Sequence, residues 1–85
     1  MDINDLKVWI DLVNTKNYSK CAALNFLTQP AISQKIKGLE EKFSTPLLIK
    51  RNKSFTLTAA GKVLYEESRK ILEEYQKLVA NIKAL

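Results

Sequence analysis

The 85-residue sequence has no histidine, one cysteine, two glycines and two prolines. Without histidine, the commonest general base and the commonest metal ligand are missing. Cys21 alone supplies neither a zinc set nor a nucleophilic triad. It also supports no disulfide within the chain, and its setting, "KCAAL", suits a small buried core position better than a redox switch. Gly38 and Gly61 are too far apart for a phosphate-cradling loop. The carboxylates come mostly as adjacent pairs, Glu40-Glu41, Glu66-Glu67 and Glu73-Glu74, which suit solvated helix faces. No enzyme, metal or cofactor is expected. No apolar run approaches the roughly 18–20 residues that span a bilayer. The start, "MDINDLK", lacks the basic-then-apolar layout of a secretory signal. The expectation is a soluble cytoplasmic protein with no membrane contact.

What is present is a small, unevenly charged chain. Eighty-five residues make one domain at most, and a core of that size gains from dimerisation or a partner. Hydrophobic residues at 46% and charged residues at 27% give a globular rather than a disordered balance. The net charge is +5. Residues 1–14 carry −2 of it, with Lys7 against Asp2, Asp5 and Asp11. Residues 15–57 set eight cations against Glu40 and Glu41, a net +6. Residues 58–85 carry +1, with five cations against four glutamates. A basic middle is the footprint of a polyanion-binding module.

Periodicity predicts a first helix over residues 4–15, with Asn4 as its cap and Leu6, Trp9, Ile10 and Val13 as its apolar stripe. Asn17 suits the left-handed turn that ends it. Ser19 is the expected cap of a short second helix over 20–25. Thr28 then caps a third helix, 28–43, and Pro30 fits because it lies in the first turn. Ile32, Ile36, Leu39 and Phe43 fall at buried spacing. Helix, short turn and amphipathic helix make helix-turn-helix spacing. Pro46 breaks the chain, and two short strands, 47–50 and 55–57, flank a basic tip as a wing.

Thr58 caps a last helix that runs to the chain end. Leu64, Ser68, Ile71, Tyr75, Leu78 and Ile82 are spaced 4, 3, 4, 3, 4, a coiled-coil seam that Leu72 and Val79 widen. So long a stripe asks for a partner, and self-association is expected through it. The division is 1–57, a winged helix-turn-helix, and 58–85, a dimerisation or linker helix. The fold class is mainly α: three helices and a two-stranded β wing, then the long C-terminal helix.

The third helix carries an unusual polar edge. Gln29 and Gln34 offer donor and acceptor together, the pattern that matches adenine's major-groove edge. Ser33 suits base edges or phosphate, and Lys37 suits guanine or phosphate. Pro30 and Ala31 suit a thymine methyl. Such a helix would enter a major groove with its N-terminus first. The rival reading is a protein-interaction module, for which this polar edge would be dispensable.

The segments "MDINDL", "YSKCAA", "LTQPAISQKIKGLEEKF", "PLL" and "LTAAGK" resemble the N-terminal domain and linker helix of LysR-type transcriptional regulators. The resemblance covers essentially the whole chain and is most specific over Thr28 to Glu40. It implies a dimeric bacterial regulator that binds double-stranded DNA at a partly palindromic operator, with its linker helices paired antiparallel. The family's base and phosphate contacts then fall on Thr28, Gln29, Pro30, Ser33, Gln34 and Lys37. Ser19 matches a phosphate contact, and Lys50, Arg51, Asn52 and Lys53 match the wing that meets backbone and minor groove. Four positions depart from the family pattern: Lys50 replaces Arg, Leu48 replaces Phe, Ser44 replaces Gly, and Asn25 replaces an apolar residue that Leu24 or Phe26 would supply instead. The family's chains continue into a larger effector-binding domain. Residues 1–85 stop after the linker helix, so no small-molecule effector is expected on this fragment.

Overall fold

In the computed structural model, which describes Met1–Leu85, the chain folds as α1 (Ile3–Thr15), α2 (Tyr18–Leu24), α3 (Gln29–Phe43), β1 (Leu48–Arg51), β2 (Ser54–Leu57) and α4 (Ala59–Lys83). A capping box starts α1. The Asp2 side chain accepts from the Asp5 backbone N–H, and the Asp5 side chain accepts from the Asp2 N–H, both at 3.0 Å. Asn4 therefore lies inside the helix and does not cap it. Lys16, at φ 51°, takes the left-handed position expected of Asn17. Asn17 is extended and caps α2, accepting from the Lys20 N–H at 2.9 Å. Asparagine caps as well as serine, so α2 starts at Tyr18, ahead of the expected start, and leaves the Ser19 hydroxyl free of the cap.

The α2–α3 turn also differs from expectation. Neither Leu24 nor Phe26 fills the core; they are 53% and 95% exposed. Asn25 turns inward instead. Its Nδ2 donates to the Cys21 carbonyl at 2.8 Å and to Asp11 at 3.0 Å, and its Oδ1 accepts from Lys7 Nζ at 3.1 Å. A polar residue sits here because every hydrogen-bonding group it brings finds a partner.

Thr28 caps α3 as expected, accepting from the Ala31 N–H at 3.2 Å. Ile32, Ile36 and Leu39 are buried with Val8, Trp9, Leu12 and Cys21. Phe43, the fourth of the row, is not buried but 41% exposed. It is the last residue of α3, and Ser44, at φ 51°, turns the chain away before anything covers the ring.

Leu47 is fully buried rather than part of the wing, so β1 starts one residue later than expected. The antiparallel register places Arg51 opposite Ser54, around a two-residue turn of Asn52 and Lys53. Asn52 takes a left-handed φ of 52°, which asparagine tolerates. Phe55 anchors the wing: it is buried and packs edge-on against Tyr18, ring centroids 6.1 Å apart.

The start of α4 is tied to this core. Thr58 Oγ1 accepts from the Gly61 N–H at 3.0 Å and donates to the Pro46 carbonyl at 2.7 Å. The Thr58 N–H donates to the Leu47 carbonyl at 3.1 Å. Gly61 lies so close that a Cβ there would run into the same Leu47 carbonyl and press on Trp9. Tyr65 Oη donates to Asn14 Oδ1 at 2.5 Å, joining α4 to α1. Beyond this anchorage α4 projects, and the molecule measures 50 × 26 × 19 Å. No helix is long and apolar enough to cross a membrane.

Candidate nucleic-acid interface

The first two turns of α3 present Gln29, Pro30, Ser33 and Gln34 to solvent, with Thr28 before them and Lys37 after. Burial of Ile32 and Ile36 on the opposite side fixes this orientation. Two adjoining concavities join α3 to the wing. One, of about 370 Å³, is lined by Ser33, Gln34 and Lys37 from α3 and by Leu48 and Lys50 from β1. The other, of about 400 Å³, brings Ser19 and Gln29 together with Lys50, Asn52 and Lys53. Lys50 and Tyr18 line both.

Eight of the eleven expected contact residues thus meet on one surface. The other three are exposed beside it: Thr28 caps α3, Pro30 lies in its first turn, and Arg51 pairs across the wing with Ser54. Lys16, Asn17 and Tyr18 also line the surface, although none is among the eleven expected contacts. Lys16 is one of the eight cations of residues 15–57, and Asn17 is expected only at the turn that ends the first helix. Partial burial, then the charge of Glu40, pushes the Tyr18 phenol above its ordinary range, so it stays a neutral hydroxyl. Glu40 lines the first concavity, but its carboxylate accepts the Leu47 N–H at 2.8 Å.

The polar side chains are partly ordered before any ligand arrives. Gln29 Nε2 donates to Ser19 Oγ at 2.6 Å, linking the first residue of α3 to α2. Lys35, which the basic middle counted among its cations, is engaged elsewhere. Its Nζ lies 2.8 Å from Asp5. That bond holds the Asp5 carboxyl below the ordinary carboxylate range, and it raises Lys35. The cations around the concavities are therefore Lys16, Lys37, Lys50 and Lys53.

On α4 the expected seam divides. Leu64 packs half-buried against the core, and Ser68 is fully buried with no partner for its hydroxyl. The chain's own core covers these two. Leu72 and Val79 are half-buried. Ile71, Tyr75, Leu78 and Ile82 remain between 45% and 62% exposed. Ile71 opens onto an apolar groove of about 500 Å³ whose walls include Phe43, Val63 and Leu64. No group of three or more histidine, cysteine or acidic residues could hold a metal ion.

Comparison with known proteins places this arrangement. The family described as bacterial regulatory helix-turn-helix protein, lysR family, matches residues 3–62. The HTH-type transcriptional regulator CysL of Bacillus subtilis is 38% identical over 79 residues, 93% of this chain and 26% of that protein. XapR of Escherichia coli, also an HTH-type transcriptional regulator, is 33% identical over 99% of the chain and 29% of its own length. The chain therefore spans little more than a quarter of these relatives. Among solved structures, the CbnR_DBD-DNA complex superposes with a TM-score of 0.90 at 28% identity, over 99% of this chain and 97% of that one. The BenM_DBD/catB site 1 DNA complex gives 0.92 at 25% identity, over 99% and 93%. With its two-helix turn, basic wing and trailing helix matched from end to end, the chain belongs to the lysR family of bacterial helix-turn-helix regulators.

Proposed function

We propose that this chain is the sequence-specific, double-stranded-DNA-binding portion of a dimeric transcription regulator, acting in the bacterial cytoplasm. The N-terminal turns of α3 lie in the major groove, and the wing tip, residues 50–54, lies against backbone and minor groove. Residues 1–57 form the reading head, and 58–85 pair two copies antiparallel. Two heads related by a two-fold axis meet a partly palindromic operator. The observation that carries this is the surface joining Ser19 of α2 and Gln29, Ser33, Gln34 and Lys37 of α3 to Lys50, Asn52 and Lys53 of the wing, polar side chains with cations beside them. The similar structures that are complexes with DNA support it.

Selection from a random DNA pool, followed by mobility shift against random competitor, tests it. A preferred sequence should emerge, and Gln29→Ala should weaken binding to it by about 1–3 kcal/mol and relax base preference. Equal, weak binding to every sequence by the unaltered chain would instead favour a protein-interaction module.

A further inference from the structure

The one side-chain hydrogen bond between α2 and α3 lies inside the proposed reading surface: Gln29 Nε2 to Ser19 Oγ, 2.6 Å. Both residues are exposed, so burial does not force this contact. Asn17, not Ser19, caps α2, which leaves the Ser19 oxygen available to Gln29. The backbone of Gln29 is itself fixed, between the Thr28 cap and Pro30. A glutamine side chain on such a backbone still has three rotatable bonds, and a free amide would sample many orientations. Donating the N–H trans to Oε1 to Ser19 would leave the other N–H beside Oε1 as a free donor–acceptor pair. A donor beside an acceptor is the complement of adenine's N7 and N6 edge.

We propose that Ser19 is a specificity-determining positioning residue: it touches no base, and it holds the Gln29 amide in the orientation that reads one. The inference rests on the DNA-reading role of α3 and adds a second residue to the readout. It differs from a plain phosphate contact at Ser19, which would strengthen all sequences alike.

The test compares sequence-preference profiles from random-pool selection for the unaltered chain and four variants: Ser19→Ala, Ser19→Thr, Gln29→Ala and the Ser19→Ala/Gln29→Ala pair. Ser19→Ala should broaden the profile at the same base pair that Gln29→Ala broadens, and leave the others sharp. Affinity for the preferred site should fall roughly three- to tenfold, the range of one hydrogen bond. The double variant should be no less selective than Gln29→Ala alone, and Ser19→Thr, which keeps the hydroxyl, should retain the preference. Side-chain amide NMR gives a second readout without DNA: Ser19→Ala should increase the mobility of the Gln29 amide. If Ser19→Ala lowers affinity for every sequence by one factor with the profile intact, the positioning role is overturned and the DNA reading stands. If the unaltered chain selects no sequence, or Gln29→Ala changes no preference, the reading of α3 falls and this inference with it.

Discussion

At the residue scale, close packing and paired charge decide what each position tolerates. Gly61 is needed for space rather than for backbone freedom, since a Cβ would meet the Leu47 carbonyl where α4 joins the core. Gly61→Ala should cost at least the roughly 1–3 kcal/mol of an overpacked core. In a domain this size, thermal unfolding should register that as a fall of about 4–8 °C per kcal/mol. Asp5 makes a different kind of prediction. The hydrogen bond from Lys35 lowers its pKa first of all, partial burial opposes this, and the Asp2 N–H lowers it further. A lowered carboxyl pKa stabilises the fold above the unfolded value of about 3.9, and this contribution is lost as pH falls through the folded value. Lys35→Met should weaken the protein near neutral pH, yet lose less additional stability on acidification toward about pH 3; urea unfolding at both pH values measures the difference. Single residues were also where the sequence misled most. Asn25 looked like a hole in an apolar pattern, because its partners Lys7 and Asp11 lie one helix away and only the folded chain brings them together.

At the scale of the element, local chemistry was legible and exact ends were not. The caps at Thr28 and Thr58, the helical spacing of Ile32, Ile36 and Leu39, and the break at Pro46 all reappear in the fold. The start of α2 shifted because Asn17 and Ser19 are both good caps, and sequence alone does not rank them. Phe43 kept its helical spacing and still ended exposed, because period says which side a residue faces and not what lies there. The seam on α4 was expected as one continuous stripe, but its N-terminal part is occupied by the chain's own core at Leu64 and Ser68. The unpaired stripe starts at Ile71, and this sets the place to test pairing. Ile71→Asp puts a charge on a side chain that is 46% exposed in the single chain. It should leave helix content and cooperative unfolding intact while shifting the solution mass from dimer to monomer. Sedimentation equilibrium on both proteins reads this, and an unchanged dimer would remove Ile71 from the interface.

At the scale of the whole molecule, net charge points to a polyanionic partner, and the fold decides which cations are free to meet it. Lys35 and Lys53 count equally toward +5, but Lys35 pairs with Asp5 and Lys53 stands at the wing tip. Lys53→Ala should weaken binding to all sequences alike and reduce the salt dependence of affinity by about one counterion; Lys35→Met should leave that slope unchanged. Binding titrations across a range of salt concentrations separate the two. The anchorage of α4 also has a mechanical side. Thr58, Gly61 and Tyr65 fasten one end of a rod about 37 Å long to the head, as 25 residues at 1.5 Å each require. Leu64 and Ser68 add packing to this joint, and the rod acts as a lever that pivots at its core-bound end. Tilting it by about 5° displaces its far end by roughly 3 Å, close to one base-pair rise along a strand. In the proposed pair, small changes in the angle between two such levers would move the two reading heads by about one step of DNA, and the stiffness of that joint would set how much operator spacing the pair tolerates.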